Sequence, residues 1–104
     1  MKETLTLTTC RDVRQARRIA RALVRERLAA CVNVVPGVAS IYAWKGKVEE
    51  AREALLIVKS TSARAKRLEA RVRELHTYAL PELVTLRIDG GSAAYLRWLR
   101  EGVR

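Results

Sequence analysis

At 104 residues the chain has room for one domain, residues 1–104, around one core, and 49% hydrophobic with 31% charged residues is ordinary for a soluble globular fold. No apolar run approaches the ~20 residues that span a bilayer, and the first residues lack a signal-peptide core, so a cytoplasmic protein without a membrane partner is expected. The net charge of +10 attracts polyanions in general. It equally describes solvated helix faces in a thermostable protein, a reading that the single Asn33 and single Gln15 favour.

Residues 4–9 alternate, with Leu5 and Leu7 on one face, and read as a first strand. Asp12 is suited to cap a helix in which Val13, Ala16, Ile19, Ala20, Leu23, Val24 and Leu28 recur at helical spacing between arginines. Residues 31–44 and 47–60 read as a long hairpin, interrupted at Pro36-Gly37 and turned at Gly46. A strand of that length spans roughly 45 Å, whereas a domain of this size has a radius of gyration of about 13 Å. Such a hairpin overshoots the body, and the simplest cover for its apolar tip is another copy of the chain. Ala54-Leu55-Leu56-Ile57-Val58 is apolar on both faces, as in the centre of a sheet.

Thr61 or Ser62 is the expected cap of a second helix with the stripe Ala65, Leu68, Val72 and Leu75. Residues 83–88 follow Pro81 as a fourth strand. Gly90-Gly91-Ser92 then leads into a short helix marked by Tyr95, Leu96, Trp98 and Leu99. The order β-α-β-β-α-β-α predicts an α+β, ferredoxin-like βαββαβ sandwich with an extra C-terminal helix and a long β2–β3 hairpin. Two helices on one sheet face leave the other face in want of a partner.

Signals for catalysis are thin. There is one histidine, His76, and no nucleophile elbow, phosphate loop or zinc-protease motif, so no enzyme is expected. Neither the first nor the third strand carries an aromatic residue on which bases could stack, so nucleic acid is not expected as a partner. Cys10 and Cys31 lack a metal or redox spacing and read as small core residues. His76, at a helix end, suits the helix dipole or a metal, but a metal needs several donors, and Cys10, Glu82 or residues of a neighbouring subunit would have to complete the set.

Leu28-Ala29-Ala30-Cys31-Val32-Asn33, Pro36 to Tyr42, Trp44-Lys45-Gly46-Lys47, Glu74-Leu75-His76, Tyr78, Pro81-Glu82 and Tyr95 to Leu99 together resemble the CutA divalent-cation tolerance family, over essentially the whole chain. The resemblance implies a cytoplasmic homotrimer, with the hairpins packed around the threefold axis and a kinship with PII-like signalling trimers. It also implies tolerance to copper and other divalent metals through binding of Cu(II) or another divalent cation, without an organic cofactor. In copper-binding members the site resembles a first-strand cysteine with two adjacent histidines. Here Thr8 and Leu75 occupy two of those positions and His76 keeps the third, with Cys10 offering a sulfur two residues from Thr8. Thr77 stands at the usual proline and Ala79 at a frequent acidic residue. Tyr42, Trp44, Lys47, Tyr78 and Pro81 are the residues expected at clefts or trimer interfaces. The alternative function is a PII-like signalling or partner-docking module that takes a small anionic ligand in clefts between subunits.

Overall fold

The computed structural model describes residues 2–104. Its elements are β1 (Glu3–Cys10), α1 (Val13–Arg25), β2 (Cys31–Trp44), β3 (Lys47–Thr61), α2 (Ala65–Leu75), β4 (Val84–Arg87) and α3 (Ala93–Glu101). The four strands form one antiparallel sheet in the order β2-β3-β1-β4, the ferredoxin-like arrangement expected from the element order. Among the described residues no helix is long and apolar enough to cross a membrane.

Side-chain alternation assigns the two sheet faces. Cys10, Ala54, Leu56 and Val58 point to one side and pack with Ala16, Ile19, Ala20 and Leu23 of α1 and Leu68 and Val72 of α2. Leu5, Leu7, Leu55 and Ile57, partnered across the sheet by Leu86 and Val84, point to the other. The two leucines of β1 therefore face away from α1 and α2, and threonines 4, 6 and 8 occupy the buried helix-facing positions. That second face is not wholly free. α3 lies across one end of it, with Leu99 fully buried, Arg100 2.9 Å from Glu3 and the Tyr95 hydroxyl accepting from Lys59 at 3.3 Å. The rest of the face leaves Val35, Val84 and Leu86 exposed.

The caps explain where the helices stop and start. Asp12 Oδ1 accepts the Gln15 amide at 2.8 Å and opens α1, and Ser92 performs the same service for Tyr95 in α3. α1 ends at Arg25, before the expected Leu28, because Arg27 turns left-handed (φ 60°) and Leu28 bonds back to the Leu23 carbonyl. Neither Thr61 nor Ser62 supplies a side-chain cap. A 3-10 turn, Ser62–Arg64, leads into α2 instead. Cys31 is half-buried on the second face rather than in the core.

The hairpin sets the molecule's shape. Its strands run to Trp44 and Lys47, and the long axis reaches 44 Å against 25 and 23 Å across, close to the length expected from its residue count. Toward the tip, Ile41 and Val48 are 68% and 79% exposed, and Trp44 is half-exposed. Lys45 (φ 51°) and Gly46 (φ 80°) both take positive φ, the backbone of a tight hairpin turn that matches strand twist.

Among the described residues the hydroxyls of Thr4, Thr8 and Thr61 are buried without a hydrogen-bond partner. An unpartnered buried hydroxyl costs about 1–3 kcal/mol. Thr8→Val keeps the volume and removes the hydroxyl at a position with no exposure. It is expected to raise stability by about 1 kcal/mol, seen as a higher urea midpoint at fixed protein concentration.

Candidate functional site

A cleft of about 860 Å³ lies between the projecting hairpin and residues 78–82, lined by Ser40, Ile41, Tyr42 and Trp44 of β2, Glu49, Ala51 and Glu53 of β3, Thr9, Tyr78, Leu80, Pro81 and Glu82. One local irregularity aims its walls. Val35 pairs with Leu55 and Val38 with Glu53, so Pro36 and Gly37 together oppose the single residue Ala54. This bulge, with Gly37 at φ 67°, shifts the alternation of β2 by one residue. Below it Asn33 and Val35 share the open face with Leu55 and Ile57. Above it Ser40, Tyr42 and Trp44 share that face with Ala51, Glu49 and Lys47. Without the extra residue Ala39, Ile41 and Ala43 would take their place.

The opposite wall is pinned by His76. Its amide closes α2 on the Val72 carbonyl at 2.9 Å, and its backbone is extended. Nε2 lies 2.8 Å from the Thr9 carbonyl oxygen, and Nδ1 accepts the Tyr78 amide at 3.0 Å. A carbonyl can only accept and an amide N–H can only donate, so these partners fix the hydrogen on Nε2. The ring stacks obliquely beside Tyr78, centroids 4.7 Å apart. Gln15, buried at the start of α1, holds the same segment from behind: Nε2 donates to the Thr77 hydroxyl at 2.6 Å and Oε1 accepts the Arg11 amide at 3.0 Å.

Tyr78 then reaches across the cleft. Its hydroxyl donates to Glu53 Oε2 at 2.8 Å, and burial, reinforced by the Glu53 carboxylate, pushes the phenol up to about 12. Cys10 lies on the helix-facing side with no exposure. Burial pushes its thiol up to about 11, with the charges of Glu53 and Asp12 acting the same way. A thiol so held is a poor sulfur donor for a metal, because the ligand form is the thiolate.

The residues singled out in the sequence are thus distributed as follows. Tyr42, Trp44, Tyr78, Pro81 and Glu82 share the cleft, with Glu82 exposed; Lys47 sits beyond it opposite Trp44. His76 spends both nitrogens on the backbone, and Cys10 is buried in the core. Among the described residues no three His, Cys, Asp or Glu side chains converge as a metal cage, so His76, Cys10 and Glu82 of this chain do not by themselves fit a tight copper centre. Sequence reading missed Glu49, Glu53 and Gln15. The alternation Glu49-Ala51-Glu53, read against Tyr42-Ser40-Val38, carries the signal for the first two, but only with the bulge counted. Gln15 gives no local signal, since its partner Thr77 is 62 residues away.

The family model described as CutA1 divalent ion tolerance protein matches residues 4–102. The chain belongs to the CutA1 family. It is 52% identical over 99 residues to the divalent-cation tolerance protein CutA of Thermus thermophilus, covering 95% of this chain and 96% of that protein. Human protein CutA is 44% identical over 93 residues; these are 89% of this chain but about half, 52%, of the human protein. Among solved structures, a divalent cation tolerance protein from Thermus thermophilus superposes with a TM-score of 0.96 at 51% identity, covering 98% and 99% of the two chains. CutA from Xylella fastidiosa gives 0.96 at 36% identity with full coverage of both. The CutA1 names state a relation to divalent ions and no catalytic activity.

The Tyr78 and Cys10 environments make this CutA1 chain sensitive to high pH. Both groups hold their protons more tightly folded than unfolded. Their stabilisation is therefore full below about pH 9 and is lost as pH rises through about 11 and 12. Absorbance of tyrosinate is expected to show one of the three tyrosines titrating last, and Tyr78→Phe to remove that component. The urea midpoints of Tyr78→Phe and of Cys10→Ala should each fall less steeply above pH 9 than that of the parent chain.

Proposed function

We propose that this chain is a homotrimeric binding protein of the divalent-cation tolerance class, and that it meets its cations with the carboxylates of the cleft rather than with a cysteine–histidine centre. One observation carries the reading: in a chain of net charge +10, every charged side chain lining the cleft is acidic, namely Glu49, Glu53 and Glu82. Three carboxylates on low-dielectric walls built by Tyr42, Trp44 and Tyr78 concentrate cations there against the charge of the whole molecule. Carboxylate oxygens suit hard and borderline divalent ions. Since these three do not form a cage within one subunit, a second copy seated against the cleft completes the donor set. The exposed apolar tip of the hairpin and the uncovered Val35, Val84 and Leu86 support such a copy, because apolar surface of this kind marks an interface. The absence of Lys and Arg from the lining weighs against a small anion as the ligand of this cleft.

Titration calorimetry with Cu(II) and Zn(II) tests the reading. Glu49→Gln with Glu82→Gln is expected to weaken binding about tenfold or more, the size of one lost charge-assisted contact. Cys10→Ala should leave affinity unchanged. Loss of binding in Cys10→Ala or His76→Gln, with the glutamate variants unaffected, would return the site to the sulfur and imidazole donors.

A further inference from the structure

Away from the cleft the fold leaves a second charged feature unused. Arg14, Arg18, Arg21 and Arg25 follow one another at helical spacing along the outer side of α1, and Arg11 precedes them. With Asp12, Gln15 and Ala22 they line a shallow groove of about 670 Å³. The opposite side of the same helix is the core stripe of Ala16, Ile19, Ala20 and Leu23, so the row points to solvent, and all five arginines are exposed.

The row differs in its pairing from Arg71 and Arg73 of α2, although Arg67 of that helix is also without an ion pair among the described residues. Arg71 bonds Glu26 at 2.9 Å and Glu74 at 3.3 Å, and Arg73 meets Glu69 at 3.2 Å. On the α1 row only Arg11 has a carboxylate, Asp12 at 3.5 Å. Among the described residues Arg14, Arg18, Arg21 and Arg25 make no ion pair. Like charges three or four residues apart on a helix oppose each other by a few tenths of a kcal/mol per pair, so the row stores repulsion that an external polyanion relieves.

The geometry of the groove selects the polyanion. No aromatic residue lines it, so bases have no platform for stacking and only the phosphates can be engaged. At 1.5 Å per residue, Arg14 to Arg25 spans about 16 Å in a straight, rigid line. That suits a stiff backbone with regularly spaced phosphates, each taken by a guanidinium fork. We propose that the arginine row of α1 is a docking surface for the phosphate backbone of duplex nucleic acid, bound without reading sequence. This surface is separate from the sheet, whose first and third strands lack stacking residues, and the proposal does not depend on the cation reading of the cleft.

The test is fluorescence anisotropy of a labelled DNA duplex of about two helical turns, over a series of salt concentrations. The parent chain is expected to bind with a steep salt dependence, the logarithm of affinity falling by about 0.9 per phosphate contacted for each tenfold rise in salt. Arg14→Gln/Arg18→Gln/Arg21→Gln should lose at least about tenfold in affinity and about three contacts from the slope. A control with the same net charge, Lys66→Gln/Arg67→Gln/Arg97→Gln, should lose less than about threefold. Glutamine keeps helix propensity close to that of arginine, and circular dichroism checks that both variants fold. Equal losses in the two variants, no binding by the parent chain, or tighter binding of inorganic polyphosphate than of duplex per phosphate would each overturn the proposal.

Discussion

One extra residue in β2 governs what the rest of the molecule can present. Strand alternation is rigid: a residue on the open face puts its neighbour on the other, along the whole strand. In β2 the Pro36-Gly37 bulge breaks that rule once. The apolar inner half then joins the sheet, while Ser40, Tyr42 and Trp44 join Glu49, Ala51 and Glu53 in the outer half. Both residue types are suited to the place. Proline cannot donate to a ladder and glycine accepts positive φ, so the pair fits an irregular edge strand and makes further edge pairing there less favourable.

The second wall depends on the first through long-range hydrogen bonds rather than through a local motif. Tyr78 closes on Glu53, His76 on Thr9, and Gln15 on Thr77, so the segment after α2 is held by β1, β3 and α1 at once. His76 is a structural clasp in this arrangement, with both ring nitrogens committed. The charge of the molecule is sorted as well. Carboxylates line the cleft, Arg71 and Arg73 of α2 are paired with glutamates, and along α1 run arginines that, among the described residues, make no ion pair. A net charge of +10 averages over these three surfaces and describes none of them.

How far the sequence reveals this molecule depends on the range of the interactions involved. The element order, the Asp12 and Ser92 caps and the Gly46 turn are legible because each is decided within a few residues. The length of the hairpin is legible from its residue count alone. The direction of Leu5 and Leu7 is not, because alternation gives two faces without saying which one meets the helices. Threonine on the buried side runs against the usual partition of polar residues. The start of α2 is not legible, because Thr61 and Ser62 are good caps by residue type and yet a 3-10 turn leads into the helix without a side-chain cap. At the site, motif resemblance singles out Tyr42, Trp44, Tyr78 and Pro81, which line the cleft. It does not single out Glu53 and Gln15, since their roles exist only once β3 and the segment after α2 meet in space.

The proposed assembly rests on the apolar surface that one chain leaves uncovered and on three cleft carboxylates that form no metal cage within it. Native mass spectrometry at low salt, with and without one equivalent of Cu(II) per chain, addresses it most directly. The proposed assembly is expected as a particle of three chains that takes up copper in stoichiometric amount. A monomer, or a trimer that takes up none, would contradict it.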